Sequence, residues 1–201
     1  MKRTIIFGAA IAVGLTLAAC STSTTGSATP SPSASAPGPS SGASTGKLTA
    51  PPVATPLDVT KFEQNPCGAL TAAQASRIAN LTTTSGSSGG TSPICGWRDE
   101  SRNSIAFSFI RGGGLSDAYG YQDSQSGYFK VAPDVSGYPA VFSGTSDDRT
   151  MGGCQMIIGV RNDEEMTVYS TLRPSSPHYA DPCSLTQKAA EAAIATLKGG
   201  S

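Results

Sequence analysis

The chain reads as an α+β domain with a mainly antiparallel sheet, an N-terminal and a C-terminal helix packed on it, and two disulfides. Three observations predict this. Apolar residues recur at helical spacing near both ends of the domain and alternate with period two between them. The alternating stretches follow one another through short polar turns, the pattern of antiparallel pairing. Four cysteines, Cys67, Cys95, Cys154 and Cys183, make an even set.

Each element has its own signal. Thr71-Ala72-Ala73-Gln74 has the form of a capping box, and it opens a helix expected to run to about Asn80, with Leu70, Ile78 and Leu81 near one face. Thr82 to Ser92 is Ser, Gly and Thr and reads as a loop. Ile94 to Asp99 reads as a strand, Glu100 to Asn103 as a turn. Ile105, Phe107 and Phe109 alternate with smaller residues in a half-buried strand, which Gly112-Gly113-Gly114 ends. Leu115 to Ser126 is weakly helical. Tyr128 to Val131 and Ala140 to Ser143 are expected strands around the Ser136-Gly137-Tyr138-Pro139 turn.

The clearest hairpin joins Cys154, Met156, Ile158 and Val160 to Met166 and Val168 through a polar tip, Arg161 to Glu165. Cys183, Gln187, Ala190, Ile194 and Leu197 then mark one face of a C-terminal helix, closed by Lys198 and two glycines.

The first twenty residues are expected to lie outside this fold. Lys2 and Arg3 precede an uncharged apolar run of fifteen residues, Ile5 to Ala19. A membrane-spanning helix needs about 20 residues, so the run fits a signal peptide better. It ends in Leu17-Ala18-Ala19-Cys20, which resembles the lipobox of bacterial lipoproteins. That resemblance implies cleavage before Cys20 and diacylation of its sulfur. Two acyl chains anchor where one barely does, at about 0.8 kcal/mol per buried methylene. An ordinary secretory signal with a chance cysteine is the alternative.

From Ser21 to about Thr60 the chain is mostly Ser, Thr, Ala, Gly and Pro with almost no large apolar residues, and it buries too little surface to offset ordering entropy. This reads as a tether with a mean reach on the order of 35 Å. The expected division is therefore 1–20 signal peptide and lipobox, 21–60 stalk and 61–201 domain. The domain is of ordinary size for one core.

Without Lys2 and Arg3 the 14 basic residues fall to 12, against 14 acidic, a net charge of about −2. No basic patch or tail is present, so nucleic acid is not an expected partner. The expected partners are the membrane, through lipid on Cys20, and an envelope protein or glycan. The four domain cysteines lack a CxxC pair and His178 is the sole histidine, which argues for disulfides over a zinc site. Asn65-Pro66-Cys67 and Asp181-Pro182-Cys183 each place Pro-Cys at the start of an expected helix, 28 or 29 residues from a strand cysteine. The simplest pairing staples each helix start to one strand, Cys67 to Cys95 and Cys154 to Cys183. Cys67 with Cys183 and Cys95 with Cys154 remains the alternative.

Asn65-Pro66-Cys67 through Leu70-Thr71, Cys95-Gly96-Trp97, Val135-Ser136-Gly137-Tyr138-Pro139-Ala140-Val141, Cys154-Gln155-Met156 and Asp181-Pro182-Cys183 occur in an order that resembles the actinobacterial lipoproteins with domain of unknown function 3558. The resemblance spans nearly the whole domain. It implies a cell-surface lipoprotein and carries no activity or catalytic residue with it.

The parts of known chemistries are sparse. A hydrolase triad needs a nucleophile, a base and an orienting acid. His178 lies in a Pro-rich loop and no GxSxG elbow is present. The carboxylate pairs Asp99-Glu100, Asp147-Asp148 and Asp163-Glu164-Glu165 fall in expected turns, where solvated surface is the plainer reading than a glycosidase pair or a calcium loop. Gly112-Gly113-Gly114 lacks the spacing of a dinucleotide loop. No catalytic residue, metal or cofactor is therefore expected. Tyr119, Tyr121, Tyr128 and Tyr138 cluster in the middle of the domain. Tyr119 and Tyr121 are the candidate binding residues, because tyrosine offers an apolar face and a polar tip. The alternative is that these rings simply cover the sheet. The expected function is a non-catalytic binding or interaction module of the cell envelope. An enzyme acting on cell-wall polymers and an accessory subunit of an envelope complex are the alternatives.

Overall fold

The computed structural model describes residues 47–87 and 92–199. Cys20, the signal peptide and the stalk to residue 46 lie outside the described residues. Among the described residues four α-helices and seven strands follow one another: α1 Thr60–Gln64, α2 Ala72–Ala79, β1 Thr83–Ser87, β2 Ile94–Arg98, β3 Ser104–Arg111, α3 Leu115–Gly120, β4 Tyr128–Val131, β5 Ala140–Gly144, β6 Gly153–Arg161, β7 Glu164–Thr171 and α4 Pro182–Gly199, with short 3-10 turns at Pro66–Ala69 and Arg149–Met151. The strands form one antiparallel sheet in the order β1-β2-β3-β7-β6-β5-β4.

That order explains the layers. Two meanders, β1-β2-β3 and β4-β5-β6-β7, meet where β7 pairs with β3. The chain leaving β3 at the centre must reach β4 at the far edge, so the connection crosses one face of the sheet. Helix α3 lies in this crossing, against β5 and β6. Helix α4 packs on the opposite face, against β6 and β7. Its Leu185, Ala189, Ala190, Ala193, Ile194 and Leu197 are buried with Ile105, Phe107, Phe109, Met156, Ile158, Met166 and Val168 in the main core. A smaller cluster under α3 joins Leu115, Ala118 and Tyr119 to Val141 and Ile157.

Helix α2 begins as the sequence predicts. The Thr71 hydroxyl accepts from the Gln74 backbone N–H, and the Gln74 side chain accepts from Thr71 N–H, a complete capping box. Its closest long-range partner is α4 rather than the sheet: the Gln74 amide donates to the Ala192 carbonyl at 3.0 Å and Gln74 Oε1 accepts from Thr196 at 2.9 Å. The expected pairing of cysteines is the one present. Cys67 is bonded to Cys95 and Cys154 to Cys183, each joining a helical start to a strand.

Three expectations need correction. The Ser/Gly/Thr loop from Thr82 contains β1, an edge strand whose residues pair with β2 from Thr83↔Arg98 to Ser87↔Ile94. Backbone pairing suffices here, so side-chain pattern carries no signal. The domain also begins before residue 61. Val53, Leu57 and Val59 are buried, Leu57 N–H donates to Val160 O, and Val53 N–H donates to the Asn162 side chain at 2.8 Å. These three aliphatics are diluted among Pro, Thr and Ala, which hides them in a compositional reading. Finally, the hairpin tip is shorter than Arg161 to Glu165. Strand β7 starts at Glu164, and Glu165 pairs with both Ile110 and Gly159 inside the sheet.

Candidate functional site in the sheet face under α3

Alternation along β7 sends Met166, Val168 and Ser170 to the α4 side and Glu165, Thr167 and Tyr169 to the α3 side. A solvated face would suit these polar residues, but α3 and the segment before α1 close over part of it. Gly159, opposite Glu165, permits the closure: a Cβ there would stand 3.2 Å from Val53 Cγ2 and 3.3 Å from Leu115 Cβ. Packing over a bare glycine thus helps to bury the carboxyl on the neighbouring strand.

Glu165 is 7% exposed. Its Oε2 has no hydrogen-bond partner, and neither has the buried Thr167 Oγ1 on the same face. The contrast with its neighbour is sharp, because Glu164 pairs with Arg111 at 3.1 Å and Arg161 at 3.6 Å. Burial pushes the Glu165 carboxyl from its ordinary 4.5 up to about 7, and the negative charge of Asp117 adds to the rise. A buried polar group without a partner costs about 1–3 kcal/mol, and more when charged.

Glu165 lines a pocket of about 160 Å³. Helix α3 and its end contribute Asp117, Ala118 and Tyr121. The end of β5 contributes Ser143, Gly144 and Thr145, and β6 contributes Gln155 and Ile157. The wall is thus part apolar and part polar, with two carboxyl groups and an aromatic ring. Chemically, this arrangement can take up a cation or hold a proton that titrates near neutrality.

The two largest of the three larger cavities among the described residues are less demanding. One of about 370 Å³ lies beside the Cys154–Cys183 bridge and is lined in part by Lys130, Asp147, Arg149 and Asp181. Two of its charges are engaged with each other: Arg149 donates to Asp147 at 2.7 Å and stands 4.4 Å over the Tyr128 ring. Hydrogen bonding from Arg149 holds the Asp147 carboxyl below its usual range. The other, about 330 Å³, lies between Leu81, Ile105, Leu172 and Leu185, with His178 among its lining residues. Its polar residues brace the fold: Asp99 accepts from both the Asn103 backbone and amide, and Asn103 Oδ1 accepts from Arg173 N–H.

The expected tyrosine pair is split. Tyr119 is buried at 6% exposure, edge-on to Phe129 with ring centroids 5.0 Å apart. It is a core residue and presents no binding face, which corrects the reading of both rings as surface anchors. Tyr121 is 56% exposed and belongs to the pocket over Glu165. Tyr128 and Tyr138 are also buried, and Tyr128 Oη accepts from Gln155 N–H at 2.7 Å. Rings covering the sheet therefore describe three of the four. Asp148 accepts from the Tyr169 hydroxyl, so that acidic pair belongs to local structure. The residue that sequence reasoning missed is Glu165. In a run of three acidic residues at a hairpin tip, a glutamate reads as a solvated turn residue. Only the crossing of α3 over its face of the sheet changes its surroundings.

Fold and site together define a disulfide-stapled antiparallel α+β domain with an acidic pocket under its crossover helix. The chain belongs to the family described as "Protein of unknown function (DUF3558)", which matches residues 15–196. No curated protein and no solved structure matches the chain.

Proposed function

We propose that the chain is a cell-surface lipoprotein of the actinobacterial type, held by lipid on Cys20, and that its domain is a non-catalytic binding module of the cell envelope. Its ligand site in this reading is the pocket over Glu165. The lipobox-like Leu17-Ala18-Ala19-Cys20 after a short apolar run supports the address. Two disulfides suit a chain that folds outside the cytoplasm. No helix among the described residues is long and apolar enough to cross a membrane. Replacing Cys20 by alanine is expected to move the protein from the membrane fraction to the soluble fraction, or to block its processing. A normally processed Cys20→Ala protein that stays with the membrane would remove the lipid from the account.

The observation that carries the binding role is the buried Glu165 carboxyl without a partner. Folds retain such a cost where something else repays it, and a ligand is the simplest source. A hydrolase of wall polymers is the second reading, because a carboxyl titrating near 7 beside a second acid has the character of a general acid. Size favours binding. Small-molecule sites usually run about 300–1,000 Å³, and a polymer hydrolase needs a cleft for several sugar rings. A 160 Å³ pocket admits the end of a side chain.

The two readings separate in one sedimentation assay. Isolated cell-wall sacculi are pelleted with the full chain in detergent. The chain is expected to pellet with them, Glu165→Gln to remain mostly in the supernatant, and no soluble fragments to appear. Soluble fragments released by the wild type and not by Glu165→Gln would establish the hydrolase. A wild-type chain that stays in the supernatant without releasing fragments would remove the wall as the ligand's source.

A further inference from the structure

We propose that the pocket under α3 binds a primary ammonium group on an apolar stem, such as the end of a lysine side chain. The inference rests on the binding-module reading and names the ligand's chemistry.

Charge points this way first. Glu165 and Asp117 share the pocket, and neither is paired with a Lys or Arg among the described residues. The elements around Glu165 bring no compensating cation. Strand β3 offers Ile110, β6 offers Gly159 and Ile157, and β5 offers Ser143. The only charged group from α3 is Asp117, of the same sign. A negative pocket with a desolvated acid at its wall is completed by a positive ligand. As that ligand binds, the Glu165 carboxyl gives its proton to solvent and the carboxylate accepts a hydrogen bond from the ammonium. The ligand keeps all three of its protons.

Shape and hydrogen bonding narrow the cation. Ile157 and Ala118 offer apolar contact for methylenes, and the exposed Tyr121 ring can stack on the stem or face the charge. An ammonium has three donors and no acceptor. The Glu165 carboxyl lines the pocket with its Oε2 unpartnered and can accept one of them, and Asp117, Gln155 and Ser143 bring further acceptor oxygens to the wall. A divalent metal fits less well. Calcium takes six to eight oxygens and magnesium six, and no cluster of three or more metal-ligating side chains occurs among the described residues.

The test uses the full chain in detergent, labelled with carbon-13 at its glutamate carboxyls. Nα-acetyl-lysine methylamide is the probe. Nα-acetyl-norleucine methylamide, which has the stem without the charge, is the control. Addition of the lysine probe is expected to lower the Glu165 titration midpoint by about one unit or more. Glu165→Gln is expected to weaken lysine binding by roughly tenfold or more, Asp117→Asn by less, and the norleucine probe to bind at least roughly tenfold more weakly. Equal binding of the two probes, undiminished binding by a folded Glu165→Gln protein, or no lysine binding at all would each overturn the proposal. If the lysine probe fails while the chain still pellets with sacculi through Glu165, the amine is wrong and the binding module stands. If Glu165-dependent pelleting fails as well, both fall.

Discussion

Replacing Cys154 and Cys183 together by alanine is expected to lower the unfolding free energy by about 3.5 kcal/mol. The bridge closes a loop with a sequence separation of 29, and a loop of that length carries about this much chain entropy. The native contacts point the same way. The bridge joins the start of α4 to β6 in the middle of the sheet, and Cys154 is fully buried. Around it, Thr186 donates to Ser170 at 2.8 Å or to the Pro182 carbonyl at 2.9 Å, so the helix start is held by buried polar contacts as well. At about 2–4 °C per kcal/mol for a chain of this size, the melting temperature should fall by roughly 7–14 °C. The Cys67–Cys95 bridge spans 28 residues and should contribute a similar amount. Loss of both approaches the whole stability of an ordinary domain, about 5–15 kcal/mol, so a variant with four alanines should be largely unfolded at 37 °C. Urea unfolding of the three variants checks this. An unchanged midpoint in either double variant would show that the bridge does not restrain the unfolded chain as supposed.

Glu165→Gln is expected to stabilise the protein at pH 8, by on the order of 3 kcal/mol. The carboxyl titrates near 4.5 when exposed in the unfolded chain and at about 7 in the fold. Below pH 4.5 both states are protonated and the group makes no pH-dependent difference. Between 4.5 and 7 the unfolded chain releases its proton first, so the wild type loses stability as pH rises. Above 7 the loss is complete. The glutamine variant keeps a similar shape and has nothing to titrate, so its advantage should grow across that window and then level off. Leaving an amide in the pocket adds a constant offset without changing the slope. Thermal unfolding of both proteins from pH 4 to pH 8 reads this directly. A difference that stays flat across the series would mean that Glu165 does not ionise in a buried setting. The same substitution is expected to remove binding, a trade of function for stability.

Much of the framework was legible from residue order. Ile105, Phe107 and Phe109 alternate because one face of β3 meets the α4 core, and Met166 and Val168 alternate for the same reason. The helical face from Leu185 to Leu197 and the Thr71–Gln74 box are local signals that the packing preserved. The cysteine pairing was legible because each Pro-Cys helix start has a strand cysteine at nearly equal separation.

What was not legible depends on tertiary placement. Strand β1 is Thr-Thr-Ser-Gly-Ser and is held by its pairing with β2, which leaves no pattern. Val53, Leu57 and Val59 are too few to outweigh the composition around them. Tyr119 and Tyr121 look alike in sequence, but the turn of α3 takes one ring into the small cluster and leaves the other exposed at the pocket. Glu165 is the clearest case. Its run of acidic neighbours reads as a turn, so its place on β7 was hidden, and its burial follows from the route that the chain must take from β3 to the far edge at β4.

The most direct measurement is the titration midpoint of the Glu165 carboxyl in the unliganded full chain, followed by carbon-13 resonance and assigned by its loss in Glu165→Gln. The expected midpoint is about 7, the behaviour of a buried acid beside Asp117 with no partner of its own. A midpoint near the ordinary 4.5 would mean that the carboxyl is solvated or already paired, and the pocket would then have no unmet charge for a ligand to satisfy.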